Sequence, residues 1–354
     1  MGDPRMKVAV YTIALNEEQF VYDWVESAFD ADYLLIADTG STDGTIEAAK
    51  SCGINVVNIS IKPWRFDDAR NAALAALPDD IDYCIALDMD EILLPGWRAE
   101  LEKVFEEKVT RPRYKYTWSW NEDGTPGLQY GGDKIHTRHN YRWRHPVHEV
   151  LTTDRMDEVQ GWTSLEIHHH PDNTKSRSQY MPLLELSVKE DPTDDRNAYY
   201  YARELYFHGR KEKAKAEFER HLSLPKAVWK PERAASMRYI AKCGEDVEAE
   251  EWLTKAIWEA PEHREARIEL ATLYYYNKTW DKCLEFVEGA LSIPEKPLEY
   301  LCEDFAWNWY PYDLAAISAH NLGRKEKAIE YGKKAVELHP KDERLQTNLN
   351  YYLA

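Results

Sequence analysis

Ile81-Asp82-Tyr83-Cys84-Ile85-Ala86-Leu87-Asp88-Met89-Asp90-Glu91 is an apolar run that ends in acids. The run reads as a strand, in which successive side chains point to opposite faces. Asp88 and Asp90 therefore share a face at its carboxyl end, while Met89 turns into the core. Two carboxylates placed there suit Mg²⁺ or Mn²⁺, which take oxygen ligands and usually bind one or two protein carboxylates together with substrate phosphates. A bare Asp-x-Asp is equally the polar cap of a following helix, so the flanking stretches have to decide.

Upstream, Lys7 to Ala14 is a β-branched and apolar run that stops at Leu15-Asn16-Glu17-Glu18, after which Phe20, Trp24, Val25 and Phe29 mark an amphipathic helix. The same order repeats: strand Tyr33 to Ala37, turn Asp38-Thr39-Gly40-Ser41-Thr42-Asp43-Gly44, helix Thr45 to Ser51, strand Asn55 to Ile59. Strands alternating with helices imply a parallel α/β sheet, and such sheets bind ligands outside the carboxyl ends of their strands. Ala14 to Glu17, Asp38 and Asp88 all fall at such ends. Asp38 to Gly44 alone would also fit a turn with Asp43 as a helix cap. Trp64 to Asn71 opens a further helix reaching Leu77, with Arg70 in its first turns. Its planar fork of donors suits phosphate, and an ion pair with Asp67 is the plainer reading.

The bulk numbers limit the function classes. The chain has 354 residues, enough for two cores, and a formal net charge of −18, which disfavours wrapping around nucleic acid or an anionic membrane. Its five cysteines are scattered without Cys-x-x-Cys spacing, so neither a disulfide framework nor a zinc finger is indicated. No stretch approaches the ~18 apolar residues of a membrane span. The expected compartment is the cytoplasm.

Thr12 to Glu18, Asp38 to Thr45, Ala69-Arg70-Asn71 and Leu87 to Glu91, in that order and spacing, resemble the family 2 glycosyltransferases of GT-A fold, over roughly Val8 to Leu94. The resemblance implies that Ala14, Leu15, Glu17 and Asp38 line a nucleotide pocket and that Arg70 approaches the nucleotide. It also implies that Asp88 faces ribose or metal and that Asp90 is the direct ligand of Mn²⁺ or Mg²⁺. Such enzymes usually take UDP-sugars and invert the anomeric centre.

From Arg111 to His148 there are seven Lys and Arg against three acids, interleaved with Tyr114, Tyr116, Trp118, Trp120, Tyr130, Tyr141 and Trp143. Tyr114-Tyr116-Trp118-Trp120 reads as a strand with one aromatic face, either core or a platform for a sugar ring. Arg144-His145-Pro146-Val147-His148-Glu149 supplies the general base, Glu149 first and His148 second, because displacement at an anomeric carbon requires removal of the acceptor's proton. The resemblance extends to the family's Val-His-Glu element. Of Ile167-His168-His169-His170, it implies that a late histidine completes the metal site, and His170 is the expected one. Lys175 and Arg177 are expected to cover the diphosphate, unless they belong to a polar linker.

Beyond Asp191-Pro192 the pattern is helical, punctuated by Pro225, Pro261, Pro294 and Pro340 at intervals of 36, 33 and 46 residues, the last containing an insertion near Glu299 to Tyr310. This resembles tetratricopeptide repeats. The expected organisation is an α/β nucleotide-sugar domain over 1–178, a helical linker over 179–195 and an all-α repeat domain over 196–354. A metal-dependent, inverting glycosyltransferase acting on a glycan or protein is the expected function, with a homodimer through the repeats as a further expectation. An inactive catalytic fold serving as an interaction scaffold is the alternative. A nucleotide-sugar pyrophosphorylase would share the sheet, but its first turn should be glycine-rich, and Ala14 to Glu17 is not.

Overall fold

The computed structural model describes residues 5–121, 123–172 and 178–354. The chain divides into two compact units, Met1–Ser187 and Val188–Ala354.

In the first unit the sequence alternates as its periodicity predicts: β1 (Val8–Ala14), α1 (Val21–Ser27), β2 (Tyr33–Asp38), α2 (Thr45–Ser51), β3 (Asn55–Asn58), α3 (Phe66–Ala75) and β4 (Tyr83–Ala86). The chain then gives β5 (Glu91–Leu93), α4 (Trp97–Glu106), β6 (Arg111–Thr117), β7 (Gln129–Gly132), β8 (Ile135–Thr137), β9 (Arg142–Arg144), β10 (Val150–Thr152), β11 (Gln160–His169) and α5 (Tyr180–Glu190). One sheet has the order β3-β2-β1-β4-β8 and a second the order β5-β11-β6-β7, with β9 and β10 forming a separate pair. Strands β1 to β4 run parallel and β8 antiparallel to β4. The strand order reverses between β1 and β4, and at such a switch point the carboxyl ends open a crevice.

Val8, Val10, Ile85 and Leu87 on one face and Ala9, Tyr11, Cys84 and Ala86 on the other are buried, which explains why β1 and β4 are apolar on both sides. Helix α3 covers one face through Ala69, Ala73 and Leu74, and Arg70 is carried inward on the same side. A hydrogen-bonded chain crosses this layer. Trp143 Nε1 donates to the Tyr11 hydroxyl (2.8 Å), which lies 3.2 Å from His136 Nε2, while His136 Nδ1 lies 2.7 Å from the Thr137 carbonyl. Every group is satisfied if His136 is neutral, and burial pushes its pKa down to about 4.

The second unit consists of antiparallel helix pairs, which is the tetratricopeptide-type architecture: α6 (Asp195–Phe207) with α7 (Lys211–Ser223), α8 (Lys230–Cys243) with α9 (Asp246–Glu259), α10 (Glu265–Tyr276) with α11 (Trp280–Leu291), and α12 (Tyr310–Asn321) with α13 (Lys325–Leu338), closed by α14 (Glu343–Leu353). Pro225, Pro261, Pro294 and Pro340 each come two or three residues after the second helix of a pair, where the missing N–H ends the ladder without loss. The longer interval is an insertion between α11 and α12. Among the described residues no helix is long and apolar enough to cross a membrane.

Candidate active site

Strand β1 ends at Ala14, whose carbonyl accepts from the amide and hydroxyl of Thr39 (both 2.9 Å), so the ends of β1 and β2 are tied together. Asp38 is buried and its Oδ2 accepts from the amides of Gly40 (2.9 Å) and Ser41 (3.1 Å). Gly40 takes a φ of +119°, which only glycine adopts without strain. Asn16, Glu17 and Glu18 are fastened to the same loop through Ser41, Thr42, Asp43 and Thr45. Leu15 stays 50 % exposed at the mouth of this cradle.

Past Ala86 the chain leaves the first sheet, and Asp88 and Asp90 stand in the turn before β5, not on a regular strand. Met89 is buried as expected, but the two carboxylates have different partners. Asp88 Oδ1 meets Arg70 Nη2 at 2.7 Å and its Oδ2 meets Lys134 Nζ at 2.7 Å. Lys134 also reaches Glu91 Oε1 (2.7 Å), which accepts from the Tyr116 hydroxyl (2.6 Å). At the other end Arg70 Nε meets Glu149 Oε1 at 2.5 Å. Glu149, Arg70, Asp88, Lys134 and Glu91 thus form a ladder of alternating charge. Burial alone would raise the Asp88 pKa, but Arg70 and Lys134 outweigh it and hold the carboxyl well below its ordinary range. The alternative reading of Arg70, an ion pair with Asp67, is not the one formed, since Asp67 is taken by Arg65 at 2.9 Å. Instead the Arg70 guanidinium lies 5.0 Å over the ring of Trp143.

Asp90 Oδ2 lies 3.2 Å from the ring of His169 at Nε2, and His169 Nδ1 lies 3.0 Å from the Trp118 carbonyl. The histidine that meets Asp90 through its ring is therefore His169, where the sequence pattern leads to His170. His170 offers Asp90 its backbone amide (2.7 Å, to the carbonyl), and its ring stacks on Trp120. Strand parity is the reason. Leu165, Ile167 and His169 share the core-facing side of β11, whereas His168 and His170 lie on the other, where His168 meets Glu166 at 3.7 Å. Desolvation opposes protonation of His169, but the Asp90 carboxylate prevails and raises its pKa.

His148 adopts a left-handed φ of 51° and packs edge-on against Tyr180. Of the aromatic strand, Tyr114 and Tyr116 are core, while Trp118 and Trp120 flank the histidines. Lys175 and Arg177 lie outside the described residues. Sequence reasoning misses Lys134, Glu91 and His169. Only the parity of His169 with Leu165 and Ile167 offers a signal.

Residues 9–156 match the model of glycosyl transferase family 2. The chain carries a family 2 glycosyltransferase domain. A glycosyltransferase uses a nucleotide-sugar donor and an acceptor, and the matched residues all lie in the α/β unit. Solved structures resembling the chain include PilF of Pseudomonas aeruginosa (15 % identity, 49 % of this chain and 71 % of that one, TM-score 0.38). Others are a thermophilic TPR protein of Thermus thermophilus (18 %, 49 % and 88 %, 0.34) and MamA of Desulfovibrio magneticus (16 %, 45 % and 82 %, 0.37).

Proposed function

We propose that this glycosyltransferase is metal-dependent and inverting, and that it moves a sugar from a UDP-sugar to a hydroxyl of a glycan or protein. The observation that carries the reading is the pairing of Asp90 with His169 at 3.2 Å beside a charge ladder whose acids outnumber its bases. Two cations, Arg70 and Lys134, face three carboxylates, Asp88, Glu91 and Glu149, so the ladder has a net charge of −1. A diphosphate approaching it would be repelled. With both Asp88 oxygens engaged by Arg70 and Lys134, the donor set left for Mn²⁺ or Mg²⁺ is the Asp90 carboxylate and the His169 imidazole, a mixed set that suits Mn²⁺. The bound cation would supply neutralisation of the charge that builds on the departing diphosphate.

The chain's own residues do the rest. The β1 and β2 ends, with Ala14, Leu15, Glu17 and Asp38, receive the uridine. Arg70 holds Asp88 and Glu149 in place from one guanidinium. Glu149 takes the acceptor proton at Oε2, since Oε1 accepts from Arg70, and His148 is the second candidate. One base acting in a single displacement puts the attack on the face opposite the leaving group and inverts the anomeric carbon. The helical unit presents side-chain surfaces, as such arrays do, and we give it the part of holding the acceptor or a second copy of the chain. Five free cysteines suit the cytoplasm.

The test is nucleotide release from a panel of UDP-, GDP- and TDP-sugars with Mn²⁺, Mg²⁺ or EDTA. Release from a UDP-sugar, abolished by EDTA and by Asp90→Ala, is expected. Full activity of Asp90→Ala, or in EDTA, would refute the metal assignment, and a retained anomeric configuration would refute inversion.

A further inference from the structure

His263, Glu265 and Cys302 meet in the interior of the helical unit, brought together from two separate stretches of chain without a recognisable spacing. His263 stands in the turn after α9, Glu265 opens α10, and Cys302 lies in the insertion between α11 and α12. All three side chains are buried. One ligand atom from each falls within 4.8 Å of the others. From His263 Nδ1, Cys302 Sγ is 3.8 Å away and Glu265 Oε2 is 3.5 Å away. Around a tetrahedral Zn²⁺ the edges between nitrogen, sulfur and oxygen ligands are about 3.3–3.6 Å, from metal–ligand bonds of roughly 2.0–2.3 Å. The nitrogen–oxygen edge falls in that range, the nitrogen–sulfur edge of 3.8 Å lies just above it, and the third edge is under 4.8 Å, so a small contraction would close the three atoms on one ion.

We propose that His263 Nδ1, Cys302 Sγ and Glu265 Oε2 bind a zinc ion. Three further observations support it. Glu265 Oε2 is buried and has no hydrogen-bond partner among the described residues, although Glu265 Oε1 accepts from Trp307 Nε1 at 2.7 Å. A buried carboxylate oxygen without a donor is costly, and an ion would satisfy it. Glu299 Oε2 stands 3.0 Å from Nε2 on the far side of the His263 ring, a charge contact without hydrogen-bond alignment, on the side where zinc-binding histidines almost always meet a carboxylate or carbonyl. Finally, His263 and Glu265 line a cavity of about 10 Å³ together with Arg238 and Ala235, room for a water as fourth ligand. Arg238 itself is neutralised by Glu269 and Glu303, both at 2.6 Å.

The charges also close. A thiolate and a carboxylate balance the two positive charges of zinc, with a neutral imidazole as third ligand, so the filled site is neutral. The thiol proton and the proton that the neighbouring carboxylates hold on the His263 ring both leave to solvent as the metal binds, two protons for one Zn²⁺, and no oxidant or reductant is needed. The ion would staple the insertion to the start of α10, giving a use to chain that the other helix pairs do without. The competing arrangement is an imidazolium held between Glu265 and Glu299 with Cys302 as a bystander.

The experiment uses the full chain purified without chelator. One equivalent of zinc is expected, retained in Asp90→Ala and lost in Cys302→Ser. Exchange of that zinc for Co²⁺ should give a thiolate-to-cobalt charge-transfer band in the protein and in Asp90→Ala, and none in Cys302→Ser. Should Cys302→Ser fail to fold, the unaltered protein still decides. Zinc should protect one cysteine from a thiol reagent at least 10-fold, and Glu265→Gln should lose that protection. No thiolate band with Co²⁺ in the unaltered protein, or a band that persists in Cys302→Ser, overturns the proposal in favour of the imidazolium.

Discussion

Replacing Lys134 by methionine removes one charge from the ladder and strands another. Lys134 Nζ lies 2.7 Å from both Asp88 Oδ2 and Glu91 Oε1. Each contact is worth ~6 kcal/mol of Coulomb attraction at an effective dielectric of about 20, most of it cancelled by desolvation. After the substitution Asp88 still has Arg70 at 2.7 Å. Glu91 does not: its side chain is 1 % exposed and keeps only the Tyr116 hydroxyl and the Asp88 amide. Breaking a buried pair by removing one partner costs about 3–5 kcal/mol. Because Lys134 keeps 23 % of its side chain open to water, solvent screening places the loss near the lower end, about 3 kcal/mol. Glu91→Gln in the Lys134→Met background removes the stranded charge while keeping an acceptor for Tyr116, and should recover about 2 kcal/mol of that loss. Urea titration read by pulse proteolysis of the α/β unit measures both. A loss under about 1 kcal/mol in the single variant, or a double variant no more stable than the single, would refute the view that Lys134 is there to neutralise Glu91.

His169→Gln should raise the Mn²⁺ concentration needed for half-maximal turnover at least ~10-fold, whereas His170→Gln, which loses only its stack on Trp120, should move it by less than about two-fold. A reversed pattern would return the site to His170. Glu149→Gln keeps an acceptor for Arg70 and should leave UDP affinity unchanged while lowering single-turnover rates by ~10² or more. Unchanged rates would move the base to His148. His136 has a folded pKa of about 4 against an ordinary 6.5, so between these values the unfolded chain takes up a proton that the folded one refuses. Stability is complete above pH 6.5 and falls with acid by ~1.4 kcal/mol per pH unit, toward ~3 kcal/mol at pH 4. Urea midpoints at pH 7.5 and 5 should show the fall, and His136→Gln should flatten it.

The strands, the helices and the repeat punctuation were legible because each is a local pattern: the apolar runs at β1 and β4, the turn at Asp38, the prolines after every second helix. The second sheet was not, because β11 pairs with β5 on one side and β6 on the other, partners far away along the chain. The ladder was hidden for the same reason. Arg70 and Glu149 are 79 positions apart, Lys134 and Asp88 46. Composition marked residues 111–148 as basic but could not say that Lys134 was the member turned inward. The three histidines were visible as a group. Choosing among them needed the face of β11 that is buried, and Leu165 and Ile167 already marked it.

The main chain passes directly between the two sheets of the catalytic unit at Leu87–Asp90, from β4 to β5, and at Asp133–Lys134, from β7 to β8, and returns once more by way of β9 and β10 to β11. Lys134 bonds Asp88 and Glu91, so the two crossings are clamped to each other by charge. For anyone recombining such domains, this makes the donor half and the half that follows it poor modules. A chimaera that exchanges β6–β7 or β11 for a relative's while leaving residues 88, 91 and 134 unmatched would separate two seams that hold each other shut. The sound junctions are those that carry all three residues across together.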